Sequence, residues 1–158
     1  MRFIKFSLFI PFFLFSLSFF DASFDDLPKQ SKDFVNKHFK SSDIVSVVKN
    51  PNNFVLRFKD GMKLEFDITD GSFSEAEIPI TNSGEVQGDG LSINLLPEPV
   101  AKALVQDFIS KYPYVKIYSI DKDKKGYEIN LSSRFLSVEV YYDANGKLIE
   151  SEYDSEDD

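Results

Sequence analysis

The segment FDITDGSFSEAE, residues 66–77, has a second version in YYDANGKLIESE, residues 141–152. When Gly71 is aligned with Gly146, aromatic residues precede both glycines and acidic residues follow them at the same spacings. Asp-Gly and Asn-Gly pairs supply the positive φ angles that tight β-hairpins require. Two hairpins of one design therefore predict that the chain contains two similar structural units.

Upstream of each hairpin lies a segment that begins with Leu-Pro and has Phe at its thirteenth position. These segments are LPKQSKDFVNKHF, residues 27–39, and LPEPVAKALVQDF, residues 96–108. Apolar residues recur at helical spacing in both, which predicts one amphipathic helix per unit. Pro28 and Pro97 fit the first turn of a helix, where a missing N–H costs no intrahelical hydrogen bond.

After each predicted helix the apolar period falls from 3.6 to 2. The first unit continues with NFVLRF and MKLEFDI, and the second with YEINL and FLSVEVYY. This alternation predicts antiparallel strands in a sheet that is covered on one face only. The segment between the units, residues 78–94, is rich in Gly, Asn and Ser, which predicts a linker or long loop. The stretch LSINLL at its end is a candidate extra strand.

The first 22 residues have the pattern of a secretory signal peptide, with Arg2 and Lys5 ahead of the apolar run at residues 6–20. A spanning helix needs roughly 20 apolar residues, so an uncleaved N-terminal anchor is the less favoured alternative. The chain has no cysteine and hence no disulfide. We expect a periplasmic or secreted monomer.

The charge of the chain limits its partners. It carries 26 acidic and 18 basic residues, and six of the acids fall in residues 150–158. The longest basic cluster is KDKK, residues 122–125. Nucleic acid is therefore not an expected partner, and membrane contact is expected only if the signal segment stays uncleaved.

The ordered motifs resemble the PepSY-like domain family, which is also described as similar to the beta-lactamase inhibitor protein and is typical of exported bacterial proteins. The resemblance covers residues 27–152. It implies an α+β fold, a tandem repeat of one helix plus about four antiparallel strands, in one curved sheet with both helices on one face. The predicted division is a signal peptide at 1–22, a first repeat at 23–78, a linker at 79–95, a second repeat at 96–152 and an acidic tail at 153–158.

Catalytic and metal-binding patterns are weak in this sequence. His38 is the one histidine, and its place beside Phe39 on an apolar stripe predicts a structural residue. The segment DKDKKG, residues 121–126, begins like a calcium loop, but Lys125 and Ser132 stand where oxygen ligands are needed. We predict a hairpin turn there, and no catalytic residue, cofactor or metal site in the chain.

Strand alternation places a mixed set of aromatic and charged residues on the face that the helices leave open. The predicted partner-binding residues are Tyr141, Phe135, Glu139, Lys63, Glu65 and Tyr118, although the face of Tyr118 is not fixed by the pattern. The simpler alternative is that these tyrosines fill strand positions for which they have good propensity.

The sequence therefore favours an exported, non-enzymatic binding module for a protein or peptide partner, which it could inhibit. The alternatives are a carboxylate-based hydrolase and an envelope structural protein without a dedicated ligand.

Overall fold

The computed structural model describes residues 20–154, which form a single antiparallel sheet of nine strands together with two helices. Each strand pairs with the next strand along the chain, so that spatial order equals sequence order. The strands are β1 (Phe20–Ala22), β2 (Ile44–Lys49), β3 (Asn53–Phe58), β4 (Lys63–Asp67), β5 (Phe73–Glu77), β6 (Lys116–Lys122), β7 (Gly126–Ser133), β8 (Leu136–Asp143) and β9 (Leu148–Asp154).

Helix α1 spans Lys29–His38, and helix α2 spans Glu98–Leu104 and continues as a π-helical turn at Val105–Ile109. Pro28 and Pro97 are the N-cap residues, so each proline directly precedes its helix. Three short 3₁₀ turns complete the elements, at Phe24–Asp26, Ser41–Asp43 and Ile93–Leu95. The predicted helices and antiparallel sheet are thus confirmed.

The turns at Gly71 and Gly146 lie against the starts of the helices. Gly71 has a φ of +73° and Gly146 a φ of +80°. A Cβ atom on Gly71 would lie 2.4 Å from the Cβ of Pro28, and one on Gly146 would lie 2.4 Å from the carbonyl oxygen of Pro99. Glycine is required at both positions because of the backbone conformation and because of the close approach of the helix.

Strands β5 and β6 join the two halves of the sheet. Ala76 pairs with Ile120 in this junction, and both side chains are fully buried. The sheet hydrogen bonding therefore continues from β1 to β9 without a break.

One face of the sheet forms the hydrophobic core. Phe34 of α1 packs against Phe73, with ring centroids 4.9 Å apart, and meets Phe66 edge-on at 5.6 Å. In the second half, the hydroxyl of the fully buried Tyr142 donates to Asp107 of the π-helical turn at 3.0 Å. No helix within residues 20–154 has the length and apolar character needed to cross a membrane.

Two local expectations differ from the structure. The extra strand predicted at LSINLL is wrong, because Ile93–Leu95 forms a 3₁₀ turn in which the Ser92 hydroxyl accepts a hydrogen bond from the Asn94 N–H at 3.2 Å. Such local side-chain bonds compete with strand pairing. Strand β1, which was not expected, pairs with β2 and overlaps the last three residues of the predicted signal peptide. The remainder of that segment, and tail residues 155–158, lie outside the described residues.

Candidate interaction site on the polar face of the sheet

The face of the sheet opposite the core carries a row of carboxylates, and we call it the polar face. Its charged members include Arg57, Lys63, Glu65, Glu75, Glu77, Asp121, Glu128, Glu139, Glu150 and Glu152. Several of them stand directly opposite another acid on the neighbouring strand, as Glu139 does with Glu152 and Asp121 with Glu128. Like charges in directly opposed positions destabilise a sheet. The arrangement therefore lowers the stability of the sheet.

Lys63 is the centre of a cluster at the β4–β5 end of this row, which we call the Lys63 cluster. Its Nζ lies 2.6 Å from Glu75, 3.0 Å from Glu77 and 3.3 Å from Glu65. Burial lowers the pKa of Lys63, but its hydrogen bonds to Glu75 and Glu77, together with the negative charges of Glu75 and Glu65, hold the pKa well above the ordinary value. Burial raises the pKa of Glu75 even though Lys63 opposes this shift, and the nearby Glu65 raises it further. One lysine cannot neutralise three carboxylates.

Further along the polar face, toward β9, is a shallow depression of about 260 Å³. We call it the acidic depression; it is lined by Asp123, Lys125, Glu128, Glu139, Tyr141, Glu150 and Glu152. Five of these seven side chains are acidic. Burial raises the pKa of Glu139, and the surrounding acids Glu128, Glu152 and Glu150 raise it further.

The hairpin between β6 and β7 forms one wall of the acidic depression. Asp123 accepts hydrogen bonds from the N–H groups of Lys125 at 2.7 Å and Gly126 at 2.8 Å, and these bonds lower its pKa. The hydroxyl of Tyr141 donates to the same oxygen of Asp123 at 2.8 Å. The segment that resembles the start of a calcium loop thus uses this aspartate oxygen to close a hairpin turn.

The structure distributes the six predicted site residues over four places. Lys63 and Glu65 belong to the Lys63 cluster, whereas Glu139 and Tyr141 line the acidic depression. Tyr118 lies at the register shift of β6 between Ile117 and Ser119, where burial raises its pKa.

Phe135 is the residue whose surroundings differ most from the sequence expectation. Strand β8 begins at Leu136, so Phe135 lies in the β7–β8 turn, where it is 80% exposed. It does not line the acidic depression.

Sequence reasoning missed most of the carboxylates that accompany the predicted residues. Glu128, Glu150 and Glu152 line the acidic depression, and Glu75 and Glu77 bind Lys63. The signal that could have found them is the same two-residue period, because SFSEAE and LIESE place their acids at alternating strand positions.

The other chemical groups noted in the sequence do not converge on a site. His38 packs on Phe34 with ring centroids 4.7 Å apart, and burial, followed by the charge of Lys37, lowers its pKa. In the part of the chain that the structure describes, no three or more His, Asp or Glu side chains are placed to hold a metal ion together.

An open antiparallel sheet with two helices and an acidic polar face defines a small α+β module with an exposed sheet surface. The family described as "Putative beta-lactamase-inhibitor-like, PepSY-like" matches residues 18–74 and 82–150. The chain belongs to this PepSY-like family, as its motifs indicated. Among curated proteins, none matches this sequence.

Solved structures from Bacteroides share the fold. A "putative calcium-regulated periplasmic protein" from Bacteroides thetaiotaomicron is 24% identical, with a TM-score of 0.66, and the match covers 84% of this chain and 94% of that one. A "putative periplasmic protein" of the DUF2874 family from Bacteroides vulgatus is 21% identical, also with a TM-score of 0.66, and the match covers 87% of this chain and 98% of that one. At these identities the likeness concerns the fold alone.

Proposed function

We propose that this chain is an exported, non-enzymatic binding module that captures a protein or peptide through a cationic segment of that partner. In this proposal the chain is a tandem repeat whose two helices cover the same face of the sheet, which leaves the polar face free for the partner. Its place of action is the periplasm or the extracellular space. The family assignment and the described periplasmic relatives support this location.

The acidic depression is the observation that carries the proposal. A lysine or arginine side chain entering it would meet Glu128, Glu139 and Glu152 on adjacent strands. A cationic partner would relieve the repulsion among these acids, which adds to burial in raising the pKa of Glu139, so binding would recover part of the stability that the free protein gives up.

Tyr141 supplies the apolar part of the proposed site. Its ring lies among the carboxylates, and its hydroxyl is held by Asp123 at 2.8 Å. A fixed aromatic ring beside acids suits the aliphatic stem and the charged head of a long basic side chain. Tyr141 and Glu139 are therefore the proposed contact residues in the depression, and Lys63 and Glu65 mark the far end of the contact surface.

Binding of two matched fluorescent peptides tests the proposal. The first is Ac-Lys-Ala-Arg-Ala-Lys-NH₂ and the second carries Glu in place of each basic residue. We expect saturable binding of the basic peptide only, weakened several-fold by Glu139→Gln and by Glu152→Gln and weakened by salt. The exposed loop variant Asp89→Asn is the charge-matched control and should bind like the original protein.

Two results would overturn the proposal. Equal weakening by Asp89→Asn would mean that only net charge matters. Turnover of a peptide, glycan or lactam substrate that disappears in Glu139→Gln would instead establish the carboxylate-based hydrolase.

A further inference from the structure

A second concave surface lies at the opposite end of the β7 and β8 strands from the acidic depression. It is a groove of about 590 Å³, within the usual size range of ligand sites. We call it the aromatic groove; its lining includes Glu85, Val86, Tyr114, Lys116, Arg134 and Phe135. None of these residues lines the acidic depression.

The linker that forms one wall of the aromatic groove is fastened to the sheet at several points. The Ser132 hydroxyl donates to the carbonyl oxygen of Gly84 at 2.6 Å, and Lys116 Nζ donates to the carbonyl oxygen of Gly88. A β-bridge between Ile80 and Val86 closes the linker on itself. These bonds hold the groove in shape before any ligand arrives, which reduces the entropy cost of binding.

Two aromatic rings that line the aromatic groove are largely exposed. Tyr114 is 84% exposed and Phe135 is 80% exposed, whereas Val86, which also lines the groove, is 7% exposed. Large aromatic side chains that project beside a partly apolar concavity are typical of binding surfaces.

The charge of the aromatic groove is opposite to that of the polar face. Arg134 and Lys116 contribute two cations against the single carboxylate of Glu85. Among residues 21–153, whose side chains the structure describes, no carboxylate forms an ion pair with either cation. The Arg134 guanidinium lies 5.7 Å from the centre of the Phe135 ring, so a charge and an apolar surface are presented together.

We propose that the aromatic groove binds the C-terminal residue of a peptide or protein segment, with a large apolar side chain between Tyr114 and Phe135 and its carboxylate on Arg134 and Lys116. A guanidinium can hold a carboxylate through two parallel hydrogen bonds, which the uncharged end of an amidated peptide cannot reproduce. This site is independent of the cationic segment proposed for the polar face.

Nuclear magnetic resonance titration of the full chain with Ac-Ala-Ala-Phe and with Ac-Ala-Ala-Phe-NH₂ tests the proposal. The free carboxylate should cause saturable shifts at the amides of Val86, Ser133 and Phe135. We expect the amidated peptide to bind about tenfold more weakly, because the charge-assisted bonds are lost. Arg134→Gln should weaken binding of the peptide with a free carboxylate by a similar factor and leave binding of the amidated peptide unchanged.

Phe135→Ala should weaken binding of both peptides, since it removes the apolar contact that they share. The control is Val45→Ala, a substitution at an apolar residue that is 59% exposed on β2. Its binding should equal that of the original protein. Glu139→Gln should also have no effect here, so a failure of this proposal is distinguishable from a failure at the polar face.

Three outcomes would overturn the inference. Equal binding of the acid and amide peptides would show apolar adsorption without carboxylate recognition. Binding that requires deletion of residues 154–158 would show that the chain's own tail occupies the groove. Concentration-dependent self-association that Phe135→Ala abolishes would show that a second copy is the occupant.

Discussion

Replacement of Lys63 by methionine tests whether the Lys63 cluster stabilises the fold in spite of its excess of acids. The substitution keeps an unbranched apolar stem but leaves Glu65, Glu75 and Glu77 without the cation that lies 2.6–3.3 Å from them. We expect the free energy of unfolding to fall, because three carboxylates then face one another on adjacent strands.

The burial of the Lys63 cluster sets the size of this loss. Removing one partner of a fully buried ion pair costs about 3–5 kcal/mol, and exposed pairs contribute about 0.2–1 kcal/mol. The side chain of Lys63 is 19% exposed, and those of Glu65 and Glu75 are 18% and 24% exposed. The cluster lies between the two limits, so we expect a loss of about 2 kcal/mol near neutral pH. For a domain of this size that lowers the Tm by roughly 6–10 °C.

Lys59→Met is the matched control, because Lys59 also pairs with a carboxylate, Asp43, at 3.3 Å. The two side chains are 62% and 47% exposed, so this substitution should cost less than about 1 kcal/mol. Urea-induced unfolding at neutral pH measures both variants. Equal losses for Lys59→Met and Lys63→Met would refute the claim that burial strengthens the Lys63 cluster.

The pH dependence of the Lys63→Met loss gives a second test. Because the folded-state pKa of Glu75 is raised, its contribution to stability is fully present below the unfolded pKa and is lost as pH rises through the folded pKa. Without Lys63 that pKa should rise further. The difference between the two proteins should therefore shrink as pH falls from about 7 to about 4. A difference that is constant over this range would show that charge repulsion is not its cause.

Alanine substitutions at three turn glycines and two N-terminal truncations test the architecture by urea-induced unfolding and thermal melts. Alanine at Gly71 or at Gly146 should each cost more than about 2 kcal/mol, because the positive φ and a contact at 2.4 Å both oppose a Cβ. Gly88 has a φ of +59° and nothing within 4 Å of the added atom, so alanine there should cost only about 1 kcal/mol, and equal costs at all three would contradict this. A chain lacking residues 1–22 should melt at a lower temperature than one lacking residues 1–19, because it loses strand β1 from its pairing with β2; indistinguishable melts would show that β1 adds nothing.

Much of the fold could be predicted from the sequence because local patterns determine it. The alternation in MKLEFDI placed Leu64 and Phe66 inside and Lys63 and Glu65 outside, and the structure agrees. The turn glycines at 71 and 146 marked the hairpins because few other residues tolerate those φ angles. These features need no knowledge of the rest of the chain.

The local apolar pattern did not predict features that depend on pairing with distant segments or on irregularities within a strand. The junction of β5 with β6 joins Glu77 to Ser119 across a linker and a helix, and no local signal specifies that register. The register shift beside Tyr118 also breaks the alternation on which its face would be judged. The acidic depression depends on such neighbours, so sequence reasoning found two of its residues and missed the rest.

The repeat alignment pairs residues of the two helices that differ in burial. It matches Phe39 with Phe108, yet Phe108 is 2% exposed within the π-helical turn, whereas Phe39 is partly exposed and follows the end of α1. A shared sequence spacing therefore does not mean that the two residues are buried to the same extent.

The neighbouring residues Val140 and Tyr141 separate stability from partner capture, because adjacent strand residues point to opposite faces. Val140 is fully buried, so Val140→Ala should cost about 2 kcal/mol through lost apolar contact and the cavity that remains.

Tyr141→Ala should leave the Tm nearly unchanged, because Asp123 keeps its two backbone hydrogen bonds and the hairpin stays closed without the tyrosine hydroxyl. The same variant should weaken binding of the basic peptide, while Tyr141→Phe, which keeps the ring, should retain most of it. Thermal melts and peptide titrations on the same samples measure both effects. If Tyr141→Ala unfolded the protein while Val140→Ala were harmless, the assignment of core and polar faces in β8 would be reversed, and with it the surface on which the proposed function depends.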